Sequence, residues 1–159
     1  MSHVGPRGEA RMVDVSEKTT TARLARAEAL VRLVPEVRRQ LLDGRLPKGE
    51  ALAVARIAGI QAAKDTARLI PLCHPLPLSH VAIDFVPHGE DALLVRTEAR
   101  TTAGTGVEME ALCAAAIAAL VIYDMVKGVH RGTVIERVEL VHKSGGRSGT
   151  WERPLPEAR

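Results

Sequence analysis

The stretch TGVEMEALCAAAIAALVIYDMVK, residues 105–127, decides the arrangement of the whole chain. From Ala111 to Tyr123 it carries no charge, so we predict a helix that is buried on most of its faces. Thr105 and Glu108 have the spacing of a capping box, which predicts the start of this helix, and Gly128 predicts its end. A buried helix of this length requires a sheet or further helices around it.

Alternating patterns on both sides of this helix predict the sheet that covers it. Residues 20–33 fit either a strand or an Ala/Arg helix, and we favour the strand. Further strands are predicted over 80–87, 92–101 and 133–142, and helices over 36–42 and 49–69. The resulting order is strand, helix, helix, strand, strand, helix, strand. It predicts an α+β ferredoxin-like sandwich, with an antiparallel sheet and helices on one face.

The helix predicted over 49–69 has two distinct faces. Its apolar stripe includes Ile57 and Leu69 and is expected to face the core. Arg56, Lys64 and Arg68 are spaced by multiples of four, so these three cations share another face. Pro71 ends the helix, because the residue before a proline is pushed out of helical geometry.

Size and composition bound the class of protein. The 159 residues, 46% of them hydrophobic, predict one catalytic or binding domain over 1–159 with mobile arms at 1–15 and 145–159. The N-terminus has no apolar signal region, and no run of about 18 uncharged apolar residues occurs, so we expect neither a signal peptide nor a membrane span. Cys73 and Cys113 make no disulfide framework, which predicts a cytoplasmic protein.

Charge and aromatic content indicate the kind of partner. The net charge of +3 and the pI of about 9.2 favour an anionic ligand. Phe85, Tyr123 and Trp151 are the complete set of aromatic residues. So few stacking platforms count against binding of single-stranded nucleic acid. We therefore expect a small anionic ligand and no nucleic acid.

Lysine is the rarer cation in this chain. Five of the 22 basic residues are lysines: Lys18, Lys48, Lys64, Lys127 and Lys143. A lysine is a compact charge that can lose its proton, whereas arginine stays protonated. Each lysine is therefore a candidate site residue, with a solvated surface role as the alternative.

The segment IPLCHPLPL, residues 70–78, is stiffened by three prolines around Cys73 and His74. Neighbouring residues of an extended segment point to opposite sides, which argues against one metal ion held by both side chains. Either both residues are ordinary core residues, or the stiff loop presents His74 and backbone groups to a ligand. A stiff loop loses less entropy when it binds.

The segment TGVEME places Glu108 and Glu110 at a helix start whose free N–H groups favour anions. The two carboxylates would repel a phosphate there. The alternatives are therefore simple helix capping, or hydrogen bonding by the amides and carboxylates to a ligand that carries donors, such as the edge of a guanine-like ring. Neither a Walker motif nor GxGxxG occurs, so common nucleotide folds are not indicated.

Asp124 ends the uncharged part of the long helix, three residues before Lys127. Burial raises the pKa of a carboxyl group and lowers that of a lysine, while a close ion pair opposes both shifts. The two residues could form a general acid/base pair or a plain ion pair at the helix end. The glycine-rich KSGGRSG at 143–149 fits a phosphate-binding segment or a disordered tail.

Seven motifs in this chain together resemble the cyclic pyranopterin monophosphate synthase family, also called molybdenum cofactor biosynthesis protein C. The resemblance spans roughly residues 10–150 and is highly specific. The motifs are MVDVS at 12–16, KGE at 48–50, ARIAGIQAAK at 55–64, LIPLCHPL at 69–76, TGVEMEAL at 105–112, IYDMVK at 122–127 and KSGG at 143–146.

The resemblance implies a reaction and an assembly. The family converts 3′,8-cyclo-7,8-dihydroguanosine 5′-triphosphate to cyclic pyranopterin monophosphate and releases pyrophosphate, with neither a redox cofactor nor an obligatory catalytic metal. Its members have a ferredoxin-like fold and form hexamers of three dimers, with the active site at the dimer interface. We therefore expect a lyase with a small-molecule substrate and no cofactor.

The resemblance also implies site residues. Asp124 matches the catalytic aspartate and Lys127 its partner lysine. The matched substrate-binding segments are Leu72, Cys73, His74, Glu108 and Met109, with Glu110 beside them. Further cations match at Lys48, Lys64, Lys143 and Arg23. The competing hypothesis is a non-catalytic ferredoxin-like domain that binds a nucleotide or RNA.

Overall fold

The computed structural model describes residues 7–154. The predicted order of elements is confirmed, with a short helix and a short strand in addition. The elements are β1 Thr21–Arg32, α1 Pro35–Leu42, α2 Ala51–Lys64, α3 Thr66–Leu69, β2 Leu78–His88, β3 Ala92–Ala103, α4 Glu108–Val126, β4 Val134–Ser144 and β5 Trp151–Glu152. Residues 20–33 form a strand, as favoured above.

The five strands form one antiparallel sheet in the order β2-β3-β1-β4-β5. The side chains of β1 and β3 alternate between a buried face and an outer face. The outer face carries ion pairs between strands, such as Arg26–Glu98 at 2.7 Å and Arg96–Glu28 at 3.0 Å. The α+β ferredoxin-like sandwich predicted from the sequence is thereby confirmed.

Helix α4 lies at the centre of the core, as its uncharged sequence predicts. Ten of its residues are buried, and five of these are alanines that allow close approach to the sheet and to α2. Within residues 7–154, α4 is also the one helix long and apolar enough to meet the criteria for a membrane span. Since 56% of that segment is buried inside the fold, its composition is accounted for by its place in the core.

Gly59 sets the distance between α2 and α4. A Cβ atom at this position would collide with the Ile83 side chain and lie 2.9 Å from the carbonyl oxygen of Ala114. The backbones therefore approach more closely than any residue with a side chain allows.

We expect Gly59→Ala to destabilise the fold by about 1–2 kcal/mol. Overpacking of a core costs about 1–3 kcal/mol, and the better helix propensity of alanine offsets up to about 1 kcal/mol of that cost. Urea denaturation measures the change. Gly128→Ala is the matched control, because a Cβ atom at Gly128 meets no atom within 4 Å. Equal stability of the two variants would contradict the close-packing argument.

Four details differ from the sequence predictions. The helix predicted over 49–69 is broken at Asp65, where the Thr66 hydroxyl donates to the carbonyl oxygen of Ala62 at 3.1 Å. Helix α4 starts with Val107 as its N-cap and no side-chain cap, so the capping box at Thr105 was wrong. Strand β5 was not predicted, because two residues carry no alternating pattern.

The fourth difference concerns the apolar stripe of α2. Ile57 is 70% exposed and Leu69 is 51% exposed, so the expectation that both face the core was wrong. Alanines and Gly59 occupy the contact with α4 instead. The arms predicted at 1–15 and 145–159 lie partly outside the described residues, at 1–6 and 155–159.

Candidate active site

Asp124 forms the first group of predicted site residues, at the C-terminal end of α4. Its carboxylate accepts hydrogen bonds from Lys127 Nζ at 2.5 Å and from Lys48 Nζ at 2.9 Å. Lys48 Nζ also donates to the backbone oxygen of Asp124 at 2.8 Å. The two ammonium groups therefore hold one carboxylate, and Lys48 reaches it from the segment before α2.

The electrostatics of Asp124 differ from the sequence expectation. Its side chain is 54% exposed, so the desolvation expected from the apolar helix does not occur within one chain. Hydrogen bonds from Lys127 and Lys48 lower the pKa of the carboxyl to about 2. At neutral pH the group is therefore an ion-paired carboxylate.

The second group lies at the N-terminal end of α4, around a pocket of about 320 Å³. The pocket contains all six residues predicted to bind the substrate through the two matched segments. They are Leu72, Cys73, His74, Glu108, Met109 and Glu110. The 72–74 loop and the first turn of α4 line the same pocket, so one ligand could touch both.

The segment before β1 covers this pocket. Val13, Val15 and Lys18 line it, and His74 Nε2 lies 2.7 Å from the carbonyl oxygen of Val13. A carbonyl accepts a hydrogen bond, so this contact requires the proton on Nε2. The sequence prediction placed Val13 and Val15 in a mobile arm over 1–15, so their contact with this pocket was not foreseen.

Glu110 is the most buried titratable group of the pocket, with 4% of its surface exposed. Burial raises the pKa of its carboxyl to about 7, a backbone hydrogen bond opposes the shift, and the nearby Glu108 carboxylate adds to it. Burial also raises the pKa of the Cys73 thiol, and Glu110 adds to that shift. Near neutral pH, Glu110 can therefore donate a proton or accept one.

We expect Glu110→Gln to raise the free energy of unfolding at pH 8 and to change it little at pH 5. The unfolded carboxyl loses its proton near pH 4.5 but the folded one only near pH 7, so ionisation opposes folding progressively across that window. Glutamine removes this cost. Each unit of pKa shift corresponds to about 1.4 kcal/mol, so the whole cost reaches about 3 kcal/mol. Chemical denaturation at both pH values measures it.

Glu90→Gln is the control, since Glu90 is exposed in the turn between β2 and β3. An equal gain for Glu110→Gln at pH 5 and pH 8, or a loss at pH 8, would contradict the pKa assignment. The gain in stability should accompany a loss of activity, because a buried acid at a site is commonly retained for function.

Cations gather beside this pocket. Arg23 lines a neighbouring pocket of about 620 Å³ together with Lys18 and Arg147. A further pocket joins the two, because it is lined by Glu108 as well as by Arg23 and Arg147. Lys143 lies in β4 next to the loop that carries Arg147. Sequence reasoning did not place Lys18 or Arg147 here, although Lys18 was one of the five rare lysines.

Lys64 lies at the end of α2, in a pocket of about 390 Å³ that shares Leu76 with the pocket of His74. The Lys64 pocket therefore adjoins the pocket of His74. Among the four further cations that the resemblance matches, Lys48 is the one that pairs with Asp124.

The two groups cannot meet within one chain. Sixteen positions of α4 separate Glu108 from Asp124, which corresponds to about 24 Å along the helix axis. Asp124, Lys127 and Lys48 thus form one half of the predicted site, and the pocket with its cations forms the other. Among residues 7–154, no cluster of three His, Cys, Asp or Glu side chains could hold a metal ion.

Comparisons with known proteins cover nearly the whole chain. The MoaC family matches residues 12–146. A cyclic pyranopterin monophosphate synthase of Thermomicrobium roseum is 54% identical over 160 residues, covering 100% of this chain and 96% of the relative. Proteins of the same name from two strains of Chloroflexus aurantiacus are 52% identical over 155 residues, covering 97% and 95%. The chain therefore belongs to the MoaC family.

Proposed function

We propose that this protein catalyses the cyclic pyranopterin monophosphate synthase reaction of molybdenum cofactor biosynthesis. As a lyase, it converts 3′,8-cyclo-7,8-dihydroguanosine 5′-triphosphate to cyclic pyranopterin monophosphate and pyrophosphate. One observation carries the proposal: the pocket lined by Glu108 and Glu110 shares lining residues with adjacent pockets lined by Arg23 and Arg147. A guanine-derived ring attached to a triphosphate has the matching distribution of donors and negative charge.

The ring end of the substrate lies in the pocket of Glu108, Glu110 and His74. Carboxylate oxygens accept hydrogen bonds from the N–H groups of the ring edge. The first turn of α4 is held in place there, because the Thr97 hydroxyl lies 2.8 Å from the carbonyl oxygen of Ala111. A carboxylate pair on such a rigid element selects a ring with several adjacent donors.

The triphosphate lies toward Arg23, Lys143 and Lys64. It brings about three to four negative charges, which several convergent cations hold through charge-assisted hydrogen bonds. The same cations stabilise charge that develops when the α-phosphorus is attacked and pyrophosphate leaves. Positioning and charge neutralisation supply most of the catalysis for that step.

Asp124, Lys127 and Lys48 carry the proton transfers of ring opening and reclosure. They act on a substrate held by another copy of the chain, because about 24 Å of helix separates the two groups within one copy. We propose a homohexamer of three dimers with the active site at the dimer interface. The exposed apolar side chains Val54, Ile57 and Leu120 on the helical layer support such contacts.

A cytoplasmic location belongs to the same proposal. Cys73 and Cys113 are both free thiols, which suits a reducing compartment. Sedimentation velocity tests the assembly, and a single chain at micromolar concentration would contradict it.

The experiment that tests the function supplies the cyclic dihydro-GTP substrate and follows pyrophosphate and pterin product in parallel. Equal amounts of both products support the synthase. The second candidate function, a non-catalytic nucleotide-binding domain, is favoured by the basic pocket alone. It would give substrate binding with neither product formed by the folded protein.

A further inference from the structure

Two threonines interrupt the apolar inner face of β3. Thr97 and Thr101 are 3% and 2% exposed, and Val95 and Ala99 on the same face are fully buried. A buried hydroxyl costs free energy unless it forms a hydrogen bond, whereas a valine of the same shape suits a buried strand equally well. Packing alone therefore does not require a hydroxyl at either position.

Thr101 holds the end of the proline-rich loop at 70–78. Its hydroxyl donates to the carbonyl oxygen of Pro77 at 2.7 Å. The three prolines of this loop have no backbone N–H, so the loop depends on hydrogen bonds from other parts of the fold. Cys73 and His74 of the same loop line the pocket of about 320 Å³. The Thr101 contact therefore fixes the point at which this pocket-lining loop joins β2.

Thr97 contacts the first turn of α4. Its hydroxyl lies 2.8 Å from the carbonyl oxygen of Ala111 and 3.1 Å from that of Ala27 in β1. The hydroxyl has one proton to donate, and the shorter distance favours the bond to Ala111. Among the described residues, no side chain caps the start of α4. The Thr97 contact therefore ties this turn, with Glu110 next to Ala111, to the sheet.

Strand β3 joins the two contacts through one rigid element. It pairs with β1 on one side and β2 on the other over most of its length. Thr97 and Thr101 are four residues apart on the same face, about 13 Å along the strand. The loop and the start of α4 are distant in sequence, yet each is hydrogen-bonded to this one strand. Their relative position is therefore set by β3.

We propose that Thr97 and Thr101 are positioning residues, which hold the two pocket-lining segments at the separation that the ring end of the substrate requires. Neither is among the described residues that line the pocket, so they act through Ala111 and Pro77. A pocket held in its binding geometry loses less free energy when a ligand binds. The identity of the substrate in this proposal rests on the proposed function, whereas the positioning of the two segments does not.

Hydrogen exchange of backbone amides tests the positioning without any need for turnover. We expect Thr101→Val to speed exchange within 70–78 about tenfold and to leave 107–112 unchanged, because one hydrogen bond to the loop is lost. Thr97→Val should do the reverse. Each variant is thus a control for the other, since both remove a buried hydroxyl from the same face of β3.

Thr133→Val is the matched control outside this strand. It removes another buried hydroxyl, which donates to the carbonyl oxygen of His130 at 3.3 Å beyond the opposite end of α4. Exchange in both segments should stay unchanged. Thr97→Ser and Thr101→Ser keep the hydroxyl but lose a methyl group, so they should exchange like the wild type. A role in packing alone would give the serine variants at least the same defect as the valine variants.

Steady-state kinetics test the consequence for the substrate. Each valine variant should raise KM about tenfold and keep kcat within about twofold, because ring binding is weakened while Asp124 is untouched. The serine variants should keep the wild-type KM. Accelerated exchange without a rise in KM in an active enzyme would make the threonines merely structural and overturn the proposal.

Unchanged exchange in the valine variants, equal acceleration in both segments, or equal defects of serine and valine would also overturn it. If one valine variant does not fold, the other variant and its serine counterpart decide the question. Segment-specific exchange in a protein without synthase turnover would refute the proposed function and leave the positioning role of Thr97 and Thr101 standing.

Discussion

Asp124→Asn is expected to lower the rate of pyrophosphate release by about 100- to 10,000-fold while substrate binding persists. This range is the usual contribution of a general acid or base. Asparagine has the same shape but cannot take up a proton, and it leaves Lys48 and Lys127 without a counter-charge. Initial rates of pyrophosphate and pterin formation under saturating substrate measure the effect.

The fold should tolerate this change, because the Asp124 side chain is 54% exposed. Its ion pairs contribute stability that is present above the unfolded pKa near 3.8 and is lost as the pH falls toward 2. Wild type and variant should therefore converge in melting temperature on acidification. Asp84→Asn, an exposed change on the outer face of the sheet, should keep full activity. Wild-type turnover in Asp124→Asn would remove Asp124 from the chemistry.

A mixture of two inactive variants is expected to recover activity. His74→Ala disables the pocket at the N-terminal end of α4, and Asp124→Asn disables the ion-paired group at the other end. If each site combines one group from each of two chains, a mixed dimer contains one intact site. Random mixing of equal amounts makes half the dimers mixed, so about a quarter of wild-type activity should return.

The matched control mixes Asp124→Asn with Lys127→Ala. Both changes lie at the same end of α4, so no combination of these chains builds an intact site, and activity should stay absent. Co-expression followed by rate measurements tests both mixtures. No recovery in the first mixture despite proven co-assembly would place the whole site within one chain, and equal recovery in both mixtures would show that Asp124 and Lys127 do not act as one group.

The fold was largely predictable because its signals are local. The uncharged run from Ala111 to Tyr123 required a central helix, and the alternation in β2 and β3 required strands. The predictions were wrong where tertiary contacts, and not the local sequence, determine which side chains face the core and where a helix begins. Ile57 fits an apolar stripe by spacing, yet the close approach at Gly59 turns that face of α2 away from α4. The Thr105 capping box failed because the helix begins at Glu108 with Val107 as its N-cap.

The residues of the candidate site could be proposed from the sequence, but their geometry could not. Motif resemblance predicts Asp124 and Lys127 as a catalytic pair, but the contact of Lys48 with Asp124 spans 76 residues of sequence. No local pattern encodes such a contact. Val13 was missed because it meets His74 through its backbone oxygen, which any residue provides. The low pKa of Asp124 could not be foreseen either, since it depends on exposure and on that distant lysine.

Helix α4 also fixes the distance and the rotation about the helix axis between the two groups of side chains at its ends. One residue inserted near Ala114 would rotate Asp124 by about 100° relative to Glu110 and move it by about 1.5 Å. The ion pairs with Lys48 would break, and the Asp124 side chain would point in a different direction from the end of the helix. Substitutions that preserve side-chain volume leave the rotation of Asp124 relative to Glu110 unchanged. Length is therefore constrained more tightly than composition along α4.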